Sequence, residues 1–166
     1  MKKKVEIMTL REYLSEAHGD TNERETRFTN VFAYVRPLIR EIEDVTDQEI
    51  QKELRDISAP QAPTSLYMAM SQDEIDGLLE LSGIVPSLGG AYARINYLVV
   101  HKGRRKNGIG AALVEAARAF AQDGLAKYLC VPIIRSAPAE GTHPIEFYKK
   151  LGFIRDPSNA YHLELR

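Results

Sequence analysis

The sequence predicts an α/β fold built on a mixed sheet, with helices on both faces of the sheet. Residues 66–70, 75–81 and 92–100 are apolar runs separated by polar or Gly/Pro-rich turns, which is typical of an antiparallel meander. Apolar residues then recur at helical spacing over 108–122, and 126–134 is another β-branched apolar run. Since a helix separates those last two strands, the expected connection is a parallel βαβ crossover.

The elements outside this core pattern are predicted from caps and periodicity. The capping-box patterns that start at Thr9 and Thr46 each begin a helix. Pro37 lies within a helical pattern and should kink or divide that helix. The expected strands are residues 5–8 and 161–165, and the expected helices are 10–17, 28–42, 47–57 and 142–151.

Composition indicates one domain, residues 1–166, with almost no net charge. The chain is 44% apolar, which is enough for a sizeable core. Its 22 basic and 23 acidic residues nearly cancel, so no overall field attracts nucleic acid or an anionic membrane. A single cysteine, Cys130, excludes an internal disulfide, and no run resembles a signal peptide or a membrane span. We therefore expect a cytoplasmic protein without a metal site and without a nucleic-acid or membrane partner.

The turn between residues 101 and 110 is the strongest candidate for a binding site. A strand that ends in a glycine-rich turn and opens a helix presents unpaired backbone N–H groups to an anion. Gly108 and Gly110 leave the backbone accessible, and Arg104, Arg105 and Lys106 add charged donors. An ordinary solvated basic loop with a tight turn has the same pattern.

Two familiar phosphate motifs do not fit this turn. A P-loop requires Lys-Ser/Thr after its last glycine, but Ala111-Ala112 follow Gly110. A dinucleotide fingerprint requires a third glycine where this chain has Leu113, and it usually lies in the first βαβ unit. A nucleoside triphosphatase and a Rossmann dehydrogenase are therefore both disfavoured.

The turn instead resembles the cofactor motif of the GNAT N-acetyltransferase family, Arg/Gln-x-x-Gly-x-Gly/Ala, with Arg105, Gly108 and Gly110 at the defined positions. A second likeness is the segment 147–153, Phe-Tyr-Lys-Lys-Leu-Gly-Phe, which is similar to the family's second signature. The two motifs lie about 40 residues apart with a strand between them, and the resemblance covers roughly residues 66–166. It implies a GNAT-like fold and an acetyl-CoA-dependent N-acetyltransferase.

The resemblance also implies which residues hold acetyl-CoA, the acetyl-donor cosubstrate. In the family the strand before the turn binds the pantetheine arm through its backbone, and the turn binds the pyrophosphate. The corresponding residues here are Leu98, Val99 and Val100 on the strand, and Arg105, Lys106, Asn107, Gly108, Ile109, Gly110 and Ala111 on the turn.

The family likeness places Tyr148 beside the thioester sulfur, where a phenol donates a hydrogen bond or a proton to the departing thiolate. Tyr148 could also simply pack against the sheet, as Phe147 does. A base must deprotonate the amine, and Glu80 in the run 75–81 is a candidate, although a solvated carboxylate fits the same pattern. His101 and His143 are weaker candidates, because both lie in turns.

Two features depart from the family pattern. Many members have Asn and Ala at the positions of Gly141 and Pro144, so the usual cofactor contact is absent or comes from Thr142, His143 or backbone. Residues 19–64 are also longer and more charged than the family's usual two helices. We expect this helical segment to form the wall of the acceptor site.

These inferences leave several functions open. The main expectation is direct acetyl transfer to a primary amine of a small molecule or peptide, because Cys130 lies in an apolar run and should be an inert thiol. A non-catalytic module that binds acyl-CoA or a protein partner is the alternative. Nucleic-acid binding by the basic run 101–106 is a third interpretation, and homodimers are common in the family.

Overall fold

The computed structural model describes residues 5–72, 74–132, 144–158 and 160–165. The strands are β1 Glu6–Thr9, β2 Thr64–Ser71, β3 Glu74–Ser82, β4 Tyr92–Val100, β5 Tyr128–Val131, β6 Ile154–Arg155 and β7 Tyr161–Glu164. The helices are α1 Leu10–Ser15, α2 Thr21–Ile39, α3 Asp47–Ser58, α4 Ile109–Asp123 and α5 Pro144–Lys150.

The strands form one mixed sheet in the order β1-β2-β3-β4-β5-β7-β6. Strands β1 to β4 are antiparallel neighbours, as the meander predicts. Strand β5 pairs with β4 in parallel after the crossover through α4, and β7 pairs with β5 and β6 in antiparallel. The predicted α/β fold is therefore confirmed, while β6 is too short for its sequence pattern to predict.

Helices cover both faces of the sheet, and each face has its own apolar core. Helices α1, α2 and α3 pack on the face that carries Leu78. Helix α4 and Tyr148 of α5 pack on the face that carries Leu79. Because consecutive residues of a strand point to opposite faces, Glu80 lies on the same face as Leu78, toward α1 to α3. Each fully buried leucine contributes about 1.5–3 kcal/mol to folding.

Capping boxes set the starts of α1 and α3, whereas the predicted helix 28–42 is wrong in its bounds, because α2 begins at Thr21 behind an Asp20 cap and ends at Ile39. The Thr46 hydroxyl accepts a hydrogen bond from the Glu49 N–H, and the Glu49 carboxylate accepts one from the Thr46 N–H at 2.7 Å. The same capping box joins Thr9 and Glu12. Pro37 does not divide its helix, because it lies in the last turn of α2 and the helix ends at Ile39.

The predicted strand over 126–134 is shorter in the structure. Strand β5 extends from Tyr128 to Val131, and residues 133 and 134 lie outside the described part of the chain. Among the described residues, no helix has the length and apolar character needed to cross a membrane.

Candidate active site

Pairing between the neighbouring strands β4 and β5 ends about a third of the way along β4. Pairing between β4 and β5 comprises Tyr92–Tyr128, Ala93–Leu129 and Arg94–Cys130. Beyond Arg94, residues 95–100 of β4 have no β5 partner within the described residues, although β4 stays paired with β3 up to Val100. Within the described residues, the remaining two thirds of β4 therefore has one backbone edge that no strand pairs, and Leu98, Val99 and Val100 lie on this free edge.

This free edge ends in the turn that the sequence singles out. A short 3₁₀ turn, Lys102–Arg104, follows β4, and Lys106 and Gly108 then take left-handed φ values of +64° and +82°. No side chain caps α4 at Gly108, and the Ala112 N–H makes a 3.0 Å bond to the Gly108 carbonyl. The N–H groups of Ile109, Gly110 and Ala111 thus lie in the first turn, where a helix provides no internal acceptors.

The basic residues of the turn differ in what they contact. The Arg105 Nε donates to the Val100 carbonyl at 2.9 Å, and its Nη2 pairs with the Glu41 carboxylate at 2.8 Å. The Arg104 guanidinium lies 3.0 Å from buried Asp76, behind the turn. Lys102 and Lys106 are both exposed, so these two lysines are the basic side chains of the turn that are most accessible to a ligand. Arg105 instead ties the turn to the end of β4 and to the loop after α2.

Gly110 brings α4 close to α5. A Cβ at Gly110 would lie 3.2 Å from the Phe147 ring, so a side chain there would displace that ring. Phe147 in turn makes an edge-to-face contact with Tyr148, at a centroid distance of 5.1 Å. The two sequence motifs therefore meet in space, as the family likeness implies.

Tyr148 is 5% exposed and lies between aromatic neighbours. Its ring makes edge-to-face contacts with Phe147 and with Phe153, the latter at 5.3 Å. Burial raises the pKa of Tyr148 far above its ordinary value, so the phenol keeps its proton throughout the physiological range.

Glu80 is buried, and the alternative of a solvated carboxylate is wrong. It is 7% exposed and lies where β4 has a bulge: Glu80 pairs with Tyr97, Leu81 pairs with Ile95, and Asn96 has no partner in β3. The bulge lets the Asn96 Nδ2 donate to Glu80 Oε1 at 2.5 Å. The Arg94 Nε donates to Asn96 Oδ1 at 2.9 Å, and this bond fixes the orientation of the Asn96 amide so that its nitrogen points to Glu80. The other carboxylate oxygen, Glu80 Oε2, is buried without a hydrogen-bond partner among the described residues.

A cavity of about 350 Å³ opens beside Glu80, between β3 and α3. Glu53 of α3 also lines this cavity. Burial, together with the hydrogen bond and negative charge of Glu80, raises the pKa of Glu53 to about 8. The Tyr97 hydroxyl is buried nearby, and burial and the charges of Glu80, Glu53 and Glu43 raise the pKa of Tyr97 well above its ordinary value.

The other candidates for a base or a nucleophile are less suited to catalysis. The exposed His101 accepts a hydrogen bond from the Gly103 N–H at 3.3 Å and so caps the turn. Cys130 is half-buried, and burial and Asp156 raise the pKa of its thiol, which disfavours the reactive thiolate. His143, Gly141 and Thr142 lie outside the described residues. Within the described residues, no cluster of His, Cys, Asp or Glu could hold a metal ion.

Sequence reasoning missed Glu53 and Asn96. Glu53 lies in the charged stretch Asp47–Arg55, where one acid resembles its solvated neighbours. Asn96 and Arg94 are the polar residues of a mainly apolar strand, and the polar position of Asn96 was the available signal for it.

Comparison with known families identifies the fold and its function. The family of the Acetyltransferase (GNAT) domain matches residues 63–155, more than half of the chain. The chain belongs to the GNAT acetyltransferase family. It is therefore an acetyltransferase with acetyl-CoA as its acetyl donor. A search of curated protein sequences finds no significant match.

Solved structures of this GNAT fold superpose over nearly the whole chain. A protein of Desulfovibrio desulfuricans assigned to the GNAT family has a TM-score of 0.69 at 15% identity, covering 98% of this chain and 100% of that one. A Brucella melitensis GNAT acetyltransferase in complex with acetyl-CoA has a TM-score of 0.60 at 15% identity, covering 99% and 90%. An aminoglycoside acetyltransferase from an uncultured soil metagenomic sample, in complex with sisomicin, has a TM-score of 0.56 at 16% identity, covering 89% and 85%. At these identities the likeness shows the fold.

The geometry of this GNAT protein suits the donor. The free edge of β4 offers backbone groups to an amide-containing arm. Gly108 has open space where a Cβ would lie, so a phosphate can approach its backbone. The first-turn amides of α4 and the exposed Lys106 provide donors for negative charge.

Proposed function

We propose that this protein transfers the acetyl group of acetyl-CoA directly to a primary amine of a small molecule. The observation that carries the proposal is the part of β4 that β5 leaves unpaired within the described residues, 95–100, which leads from the bulge beside Glu80 to the turn before α4. From Asn96 to Val100 the strand spans about 13 Å. A donor along this edge with its phosphates at the turn would place its thioester near Glu80.

The proposal assigns the donor to ten residues. The backbone of Leu98, Val99 and Val100 would bind the pantetheine arm, and the turn from Arg105 to Ala111 would bind the phosphates. Because Arg105 is held by Glu41 and Val100, we assign it mainly to shaping the turn. The direct phosphate donors would be the amides of the first turn of α4 and the Lys106 side chain.

Glu80 is assigned as the base. The amine arrives as an ammonium ion and loses two protons in forming the amide, while a C–N bond forms and the C–S bond breaks. Glu80 Oε2 is free to accept the first proton, since Asn96 already occupies Oε1. The second proton passes to solvent during attack, and the thiolate takes up one proton from solvent to become the thiol, so one proton is released overall.

Tyr148 is assigned as the hydrogen-bond donor to the departing thiolate. Its pKa lies far above that of an ordinary thiol, about 8.5, so complete proton transfer from the phenol to sulfur is uphill. A hydrogen bond from the phenol stabilises the thiolate without that cost. The thiolate then takes its proton from solvent.

A small-molecule acceptor is favoured over a protein. The cavity beside Glu80 has a volume of about 350 Å³, which is typical of a small-ligand site. The fold is also shared with an aminoglycoside acetyltransferase that binds sisomicin.

The test is thiol release from acetyl-CoA in the presence of a panel of primary amines, with the acetylated product identified by mass. Glu80→Gln keeps the acceptor for Asn96 and removes the base, so we expect kcat to fall about 100-fold. Calorimetry with coenzyme A is the companion measurement. Tight binding with no turnover on any amine would overturn the enzymatic assignment and favour a non-catalytic module.

A further inference from the structure

The two arginines of the turn before α4 form ion pairs with acids from different parts of the fold. Arg104 pairs with the buried Asp76 of β3 at 3.0 Å. Arg105 pairs with Glu41 at 2.8 Å, and its Nε donates to the Val100 carbonyl at 2.9 Å. Arg105 therefore links the end of β4 to the segment that follows α2.

Glu41 lies on a well-anchored part of the main chain. The Glu41 N–H donates to the Leu38 carbonyl at 3.2 Å, and the next two N–H groups both donate to the Ile39 carbonyl at 2.9 Å, so the segment continues directly from α2. Leu38 and Ile39 are fully buried in the same apolar core as Val99 of β4. The backbone that carries the Glu41 carboxylate is therefore fixed relative to the end of β4.

The turn has a backbone conformation that needs support from its surroundings. Lys106 adopts a left-handed φ of +64°, which is unfavourable for a residue with a side chain, and Gly108 follows at +82°. No side chain caps the amides of α4 at Gly108. An anion site that is already formed binds more tightly than one that must become ordered on binding. Contacts that hold this turn therefore favour donor binding even if they do not touch the donor.

Glu41 also determines what Arg105 offers to a phosphate. The two contacts occupy the Nε and Nη2 groups of the guanidinium and offset its charge, so the exposed Lys102 and Lys106 are better placed to meet an anion. Two roles of Arg105 thus predict opposite effects of losing Glu41. If Arg105 shapes the turn, donor binding weakens. If Arg105 is a phosphate ligand, Glu41 competes with the phosphate, and donor binding becomes tighter.

We propose that Glu41 is a positioning residue for acetyl-CoA, acting through Arg105 on the turn that receives the phosphates. The proposal rests on the assignment of this turn to the donor under the proposed function. It gives the helical segment 19–64 a role in donor binding, besides its expected role as the wall of the acceptor site.

The test measures Kd for coenzyme A by calorimetry, and kcat and KM for acetyl-CoA by thiol release. Glu41→Gln keeps the size of the side chain and removes its charge. Because both partners are about one-third exposed, we expect Kd and KM to rise about 3- to 5-fold, with kcat at saturating donor unchanged. Arg105→Gln should also raise Kd. The double variant should bind no more weakly than Arg105→Gln alone, because the two residues act through one contact.

Asp44→Asn is the matched control for charge. Asp44 is an exposed acid of the same segment and forms no ion pair within the described part of the chain. Its loss removes one negative charge and leaves the contact with Arg105 intact, so Kd should stay nearly the same at physiological salt.

The remaining outcomes separate this proposal from the acetyl transfer. An unchanged Kd in Glu41→Gln would overturn the proposal, and a lower Kd would overturn it by making Arg105 a phosphate ligand that Glu41 holds back. If no amine gives turnover while coenzyme A binds the wild type more tightly than Glu41→Gln, the enzymatic assignment fails and the role of Glu41 stands. If coenzyme A does not bind the wild type, both fail.

Discussion

Replacing Glu53 with glutamine should change how the stability of the protein depends on pH. Burial and Glu80 raise the pKa of Glu53 from an ordinary value of 4.5 to about 8 in the folded protein. The folded state therefore holds this proton more tightly than the unfolded state. The free energy of unfolding of the wild-type protein should therefore fall as the pH rises from about 4.5 to about 8, and it should level off above that pH. Glutamine carries no such proton, so the variant lacks this contribution.

The size of the effect follows from the two pKa values. The two pKa values differ by about 3.5, and each pKa unit corresponds to about 1.4 kcal/mol. The loss of unfolding free energy therefore has an upper bound of about 5 kcal/mol. Solvent reaches part of the Glu53 side chain and screens its charge, so we expect about 2 kcal/mol. The variant should match the wild type near pH 4.5 and exceed its stability by about that amount above pH 8.

Urea unfolding at a series of pH values measures this difference. Circular dichroism is the suitable probe, because the chain contains no tryptophan. The control variant is Glu115→Gln, a change of an exposed acid on α4, and it should follow the wild type at every pH. Parallel curves for Glu53→Gln and the wild type would show that the pKa of Glu53 is not raised in the folded protein, and would refute the reasoning.

Three further outcomes test the site and the core. Tyr148→Phe should lower kcat about 100-fold with KM for acetyl-CoA unchanged, as measured by thiol release; an unaffected kcat would leave Tyr148 with a packing role. Gly108→Ala should cost about 1 kcal/mol through its φ of +82°, whereas Gly108→Glu should in addition raise KM for acetyl-CoA about 10-fold. Equal KM values in the two Gly108 variants would argue against a phosphate at this turn. Leu113→Ala should cost about 2–5 kcal/mol in chemical denaturation, since Leu113 is fully buried, and a smaller loss would mean that the core refills the space.

The sequence predicts best the elements whose signals are local. Strand β4 has its predicted bounds, Tyr92 to Val100, because a run rich in β-branched and aromatic residues lies between a Gly-rich loop and a basic turn. Both capping boxes form because each uses residues only three positions apart. The short helix α5 is preceded by a segment outside the described residues, so the role of its entry turn stays a prediction.

The contacts that shape the site depend on residues far apart in the chain. Glu41 reaches Arg105 across 64 positions, and Glu53 meets Glu80 only when α3 packs against the sheet. The bulge at Asn96 depends on the register between two strands, which a hydrophobic pattern does not set. The two interpretations of Glu80 could not be separated until that packing was known.

The separation of β4 from β5 leaves few paired positions between the two parts of the sheet among the described residues. Within the described residues the halves β1–β4 and β5–β7 share three paired positions, and α4 spans both halves. The proposed base lies on one half and the proposed hydrogen-bond donor packs against the other. A slight hinge motion at this seam would alter the separation between the two groups, so seam residues such as Ala93 and Leu129 could tune the turnover rate without touching either substrate.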